Sequence, residues 1–287
     1  MGAIFRHELR NYFHSLTAYV FGAFLLAVVG LGSVLYNLQA AVSNFEFVLS
    51  FASIIFVVIV PILTMRTLAE ERRQRTDQLL YSLPITTTQV VLGKYLALLV
   101  VYLIPLAVIS LYPLLFSQFG DVYLPTSYGS LFAFFLMGAA LLAVGVFLSS
   151  LTDNQGFAAG IGIAAILLNY YSVSLAEYTS STAMGSLIAL YVIALLLGVV
   201  IRGLTRNENL AYGVTFALIA ALSVAYFVNS TAFEGLLPDI MTKLSLFRQF
   251  NSFVNGAFDL TAIVYYVSVM GFFLFLSVQS MEKRRYN

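Results

Sequence analysis

Eight apolar runs, each close to twenty residues or longer, set the terms for this chain: residues 17–38, 47–65, 90–117, 127–150, 156–175, 184–201, 210–228 and 262–280. A helix rises about 1.5 Å per residue, so each run reaches across a hydrocarbon core of roughly 30 Å. In lipid the backbone must satisfy its own polar groups, which leaves helices or a closed barrel. A barrel would alternate polar with apolar residues instead of running the apolar ones together. Only 9% of the residues are charged and the mean hydropathy is +0.93, far from a water-soluble domain. The expected fold is an all-α polytopic transmembrane helical bundle of about eight spans.

The basic residues orient it. With eight spans both termini share a side, and that side holds twelve of the fourteen Lys and Arg residues, leaving only Lys243 and Arg248 opposite. By the positive-inside rule the chain is a multi-pass plasma-membrane protein with both termini cytoplasmic. The first run is long enough to span and is flanked by Arg6 and Arg10, so it does not read as a cleaved signal peptide. Cysteine is absent, which removes disulfides, thiolate metal ligands and thiol nucleophiles. No internal repeat or linker divides the sequence, and it reads as a single membrane domain, 1–287.

Three segments stand outside the spans. Residues 1–16 place Ile4, Phe5, Leu9, Tyr12, Phe13 and Leu16 at helical spacing with Arg6, His7, Arg10 and His14 between them, an interfacial helix or a charged lead-in to the first span. The segment 67–84 is the most polar stretch: Glu70, Glu71, Arg72, Arg73, Arg75 and Asp77, then Leu79 and Leu80, then a helix stop at Pro84. It reads either as an amphipathic surface helix offering one face to a soluble partner, with Glu71 and Arg75 paired four apart, or as a solvated charge run. Thr86 to Thr88 are placed to cap the following helix. Residues 234–259 space Leu244, Phe247, Phe250, Val254 and Phe258 helically, either as a helix over an outer gate or as a linker resting on the membrane.

Chemistry of its own is missing. Ionisable residues are almost excluded from the runs, against a proton- or ion-coupled carrier, and Asn169 suits helix packing. A phosphate-binding loop fails because Gly93-Lys94 is followed by Tyr95 and position 88 is threonine. The zinc-protease and serine-hydrolase motifs are absent as well. The chain is expected to bind no cofactor or metal and to catalyse nothing; a passive channel is the remaining autonomous reading.

At the charged island the sequence resembles the type-2 ABC transporter permeases, in particular those of gliding-motility type. The resemblance rests on Leu68-Ala69-Glu70-Glu71-Arg72, Thr76, Leu79-Leu80, Ser82-Leu83-Pro84-Ile85-Thr86 and Leu92-Gly93-Lys94-Tyr95; on Ser149-Ser150-Leu151-Thr152-Asp153-Asn154-Gln155; and on Leu246-Phe247, Phe250, Phe253, Gly256, Asp259-Leu260, Tyr265-Tyr266 and Glu282-Lys283-Arg284-Arg285. It implies a six-span core, here enlarged by the pair 184–201 and 210–228, with an N-terminal elbow helix. It also implies pairing with a second permease, identical or homologous, and with two copies of a separate ATPase that holds ATP and Mg. Carried onto this chain, Glu70, Glu71, Arg72, Arg75, Thr76, Leu79 and Leu80 become the coupling helix that docks the ATPase, and Leu244, Phe247, Phe250 and Phe253 become extracytoplasmic gate candidates. The implied function is ATP-driven export across, or work at, the membrane. The rival is a mechanical or signalling component that transmits ATPase state to an extracytoplasmic accessory protein. No nucleic-acid partner is implied.

Overall fold

Helices form wherever the apolar runs predict them. The computed structural model describes residues 1–74, 85–205 and 208–285. Contacts divide it into two compact units, residues 1–170 with 249–287, and residues 171–248.

The larger unit opens with α1 (Gly2–His14), whose Tyr12 is buried while Arg6, His7 and Arg10 are exposed, as its amphipathic spacing requires. Then come α2 (Leu16–Ser33), prolonged to Gln39 by a π-helical turn, α3 (Phe45–Ser53), α4 (Phe56–Thr64) and the short α5 (Ala69–Arg73). Beyond the undescribed residues 75–84 lie α6 (Thr87–Ile109), α7 (Leu111–Phe116), α8 (Leu124–Leu151) and α9 (Gln155–Tyr178), whose last turns belong to the smaller unit. α10 (Ala183–Thr205), α11 (Glu208–Val228) and α12 (Leu236–Lys243) belong to the smaller unit, α13 (Leu246–Val254) begins in it, and α14 (Leu260–Arg285) returns to the larger one.

Among the described residues six helices are long and apolar enough to cross a membrane, and the bent pair α3 and α4 meets the same test taken together, as a broken span or a re-entrant loop. The run expected as one helix over 47–65 is therefore corrected: it breaks by 58° at Ile54 and Ile55. Pro61, a turn and a half further on, has no N–H to give to Val57, and its ring crowds that carbonyl. The run 184–201 forms α10, whose apolar part, Ala183–Val199, is shorter than the other spans. The long third run behaves as its prolines suggest. Thr86 caps α6, its Oγ1 accepting from Gln89 N at 3.3 Å, and the regular helix gives way at Ser110 between Pro105 and Pro113.

The core of the larger unit is α8, with 72% of its apolar stretch buried. Its Gly138 and Gly145 let neighbours come close: a methyl group at Gly138 would sit 2.6 Å from the Tyr102 ring of α6, and one at Gly145 would collide with the Thr64 side chain of α4. Such close approach replaces the hydrophobic drive that lipid does not supply. Around this seam runs an aromatic chain, with ring centroids 6.2 Å apart for Phe21 and Tyr102, 5.8 Å for Tyr102 and Phe56, 4.7 Å for Phe56 and Phe134, and 5.8 Å for Phe134 and Phe250.

In the smaller unit α10 and α11 form a hairpin fastened by a 2.7 Å hydrogen bond between Tyr191 and Ser223 and by a surface ion pair between Arg202 and Glu208. The single helix expected within 234–259 is two. α12 ends at Lys243, and Ser245 starts α13 by accepting from Arg248 N at 3.3 Å, so the serine's competition for the backbone interrupts the apolar spacing.

Candidate functional site: an ion cluster beneath the first helix

Lys94 stands in the second turn of α6 and is 2% exposed. A bare ammonium there would be costly, so partners must reach it. Its Nζ donates to Glu8 Oε1 of α1 and to Glu71 Oε1 of α5, both at 2.7 Å. One cation thus ties three elements that are distant in sequence.

The segment before α5 is held just as firmly. Ser149, near the end of α8, accepts from Leu68 N at 3.2 Å and from Ala69 N at 3.1 Å, while its hydroxyl donates to Met65 O at 3.2 Å. Arg72 is buried and its Nη1 donates to the Ser150 carbonyl, which also accepts from Ser280 Oγ of α14 at 3.1 Å. Tyr12 of α1 meets Thr67 Oγ1 at 3.3 Å, and burial pushes its phenol above the ordinary range, so it stays protonated. The Ser149-Ser150 motif is thereby explained as the acceptor site for the start of α5. Asn154, four residues on, caps α9 through Oδ1, which accepts from Gly156 N and Phe157 N at 2.9 and 3.3 Å. Replacing Ser149 by Ala should leave two buried amides without this acceptor. A loss of about 1–3 kcal/mol is expected, visible as a lower unfolding midpoint in detergent.

Several predicted site residues land elsewhere than a docking face would put them. Arg72 points inward to α8, and Glu71 is committed to Lys94; both are anchors of the segment. The physical reason is charge burial: each reaches a buried partner that an outward rotamer would strand. Glu70 is half-buried, and its Oε1 accepts from Gln74 Nε2 at 3.3 Å; Arg73 and Gln74 are exposed. Arg75, Thr76, Leu79 and Leu80, with the expected Glu71–Arg75 pair, lie outside the described residues.

At the other end of the same unit Phe250 is 1% and Phe253 2% exposed. The Phe253 carbonyl accepts from Ser130 Oγ of α8 at 2.9 Å, and the ring meets Phe258 at 5.6 Å. In the smaller unit Phe247 is buried and Leu244 is 56% exposed. The chain turns back through Gly256 at φ +82°, where a side chain would strain the backbone.

Two ionisable residues escaped the sequence reading. Glu8 was passed over in the first helix, although an isolated lysine at the start of a span called for a carboxylate nearby. Glu46, one residue ahead of an apolar run, is 2% exposed; its Oε1 accepts from Ser127 Oγ at 3.2 Å, and it stands in the first turn of α3, where the helix dipole favours an anion. Both buried charges stand at the ends of apolar runs, Glu46 one residue ahead of 47–65 and Lys94 near the start of 90–117.

The geometry describes a buried electrostatic joint within a bundle of membrane helices, and comparison of the sequence with known families decides what kind of bundle. The family described as ABC-2 family transporter protein matches residues 30–176, just over half the chain. The chain belongs to this family. It is a multi-pass permease component of an ABC transporter, the membrane part and not the catalytic ATPase. No curated protein and no solved structure matches it significantly. Within the permease the matched stretch takes in α3 to α8, including Lys94, Glu71 and the Ser149-Ser150 pair, and ends before the hairpin α10–α11.

Proposed function

We propose that this permease couples ATP hydrolysis by a separate ATPase subunit to export across, or work at, the membrane, and that α5 with the residues following it is the lever through which the ATPase acts. The observation that carries the reading is the tethering of the segment 65–72 to three other helices: to α1 and α6 through Lys94, and to α8 through Ser149 and the Ser150 carbonyl, which also accepts from Ser280 of α14. An element so tied cannot shift alone. Motion delivered to it passes to the third span, and the ring chain Tyr102, Phe56, Phe134 and Phe250 offers a packed route from that span to the Phe250–Phe253 plug. In this proposal Glu70, Arg75, Thr76, Leu79 and Leu80 face the ATPase, whose two copies serve a pair of permeases. The whole chain works as one membrane domain with both termini cytoplasmic, and Phe250 and Phe253 form its outer closure.

The test is affinity purification of the tagged chain in mild detergent with mass spectrometry of what accompanies it. A P-loop ATPase should be recovered, and Leu79→Asp with Leu80→Asp should reduce recovery by at least about tenfold, the scale of losing one well-packed apolar anchor. Charge reversal at Glu71 is unsuitable for this purpose because it would also break the Lys94 cluster. Recovery of the chain alone in several detergents, or unchanged recovery of the ATPase by the double variant, would remove the lever.

A further inference from the structure

α3, α4 and the residues after them run alongside α8 and meet it at four levels. Glu46 accepts from Ser127, the Phe56 and Phe134 rings stand 4.7 Å apart, Thr64 lies against Gly145, and the Leu68 and Ala69 amides bond to Ser149. Between the first level and the second, α3 breaks from α4 by 58°. At the break Ile55 N bonds to Ala52 O and Val57 N to Ile54 O, both at 3.1 Å, so three-residue turns replace the α-helical ladder. Such a turn in mid-helix is a natural pivot. On its far side α3 has one side-chain hydrogen bond to another helix among the described residues, the 3.2 Å contact of Ser127 Oγ with Glu46 Oε1.

A lone carboxylate is an unusual fastening. Glu46 is 2% exposed, its Oε2 is buried without a hydrogen-bond partner, and it joins no ion pair among the described residues. In the larger unit residues 15–65, 95–170 and 249–282 contain no Lys or Arg, so this end of the bundle has no counter-charge to send. Closing α3 onto α8 therefore gains a charge-assisted hydrogen bond and the α3 dipole, but leaves an anion stripped of water without a counter-ion. Water is near, since Ala41, Ser43 and Asn44 just ahead of α3 are exposed. One turn on from Ser127, Ser130 holds the Phe253 carbonyl, so the same part of α8 carries both α3 and the Phe250–Phe253 plug.

We propose that α3 is a flap hinged at Ile54 and Ile55, and that Glu46 with Ser127 is its latch: the hydrogen bond holds α3 shut on α8, and the stranded charge drives it open. The motion belongs to this chain alone and is independent of the ATPase reading.

The chain contains no cysteine, so a single introduced thiol reports on one place. Full-length protein in nanodiscs carries either Leu49→Cys, on the Glu46 side of the hinge, or Val60→Cys, beyond it; these positions are 0% and 1% exposed. The rate of labelling by a membrane-impermeant maleimide follows the open population, with the exposed Ser43→Cys giving the unhindered rate. Leu49→Cys should label at least about tenfold faster than Val60→Cys. Adding Ser127→Ala to Leu49→Cys should speed labelling about tenfold, the worth of one hydrogen bond to a charged group. Adding Glu46→Gln should instead slow it about fivefold, because the amide keeps an acceptor for Ser127 and is cheaper to bury than an unpaired carboxylate. Neither substitution should change Val60→Cys. The opposite signs distinguish a latch from mere packing, which either substitution would loosen. Faster labelling with both substitutions, an unchanged rate with Glu46→Gln, or equal rates at Leu49→Cys and Val60→Cys overturns the proposal.

Discussion

Lys94→Met is expected to be among the most damaging single substitutions in this permease. It removes one buried cation and leaves two carboxylates, Glu8 and Glu71, facing each other 12% and 22% exposed. Breaking a buried ion pair from one side costs about 3–5 kcal/mol, because the stranded charge keeps its desolvation penalty without its partner. The measurement is the unfolding midpoint of the purified protein in detergent, with ATPase stimulation read alongside if the partner is recovered. A large fall is expected for Lys94→Met, and substantial recovery when Glu8→Gln and Glu71→Gln are added, since the triple variant has no uncompensated charge. Equal damage in the single and triple variants would mean that the lysine stem's packing, not its charge, matters. An unchanged midpoint in Lys94→Met would show that the cluster does not hold α1 and α5 to the third span.

The second large effect is expected at Gly145. A β-carbon there collides with Thr64, whose Oγ1 is itself bonded to the Val60 carbonyl at 3.0 Å and so is not free to swing away. Gly145→Val must therefore push α4 away from α8. Overpacking of this kind costs about 1–3 kcal/mol in a closely packed interior, and more where the neighbour is a backbone-anchored side chain on another helix. The expected outcome is loss of a monodisperse peak in size-exclusion chromatography. Gly129→Val on the same helix, where no atom lies within 4 Å of the added β-carbon, should leave the elution profile intact. If both variants elute like the parent, the α4–α8 seam is not the tight contact described.

These two positions also mark the boundary between pattern and packing. The helical membrane bundle was legible because its cause is local: a run of apolar residues near twenty long has few stable arrangements in lipid, and each run announces itself without reference to the others. The amphipathic α1 and the Thr86 cap follow from spacing and side-chain chemistry within a few residues, and they too were legible. The coupling-segment motif drew attention to Glu71, Arg72 and Ser149-Ser150, yet it gave no direction for their side chains. A pattern read along one helix sees Glu71 near Arg75, whereas the fold brings Lys94 from 23 residues away and Glu8 from the first helix.

What the sequence determined by itself was therefore the class of molecule: an all-helical membrane permease with a polar segment after its second apolar run. What only the tertiary structure decided was which polar residues face partners within the chain. It bent the second apolar run at Ile54 and Ile55, turned Arg72 inward, left Leu244 exposed, buried Glu46 beside Ser127 and joined Lys94 to two carboxylates. The physical reason is the range of the forces concerned. Burial in lipid is settled residue by residue along a run, but a buried charge is stable only where distant segments deliver its counter-charge to within hydrogen-bonding distance, and that condition belongs to the assembled fold.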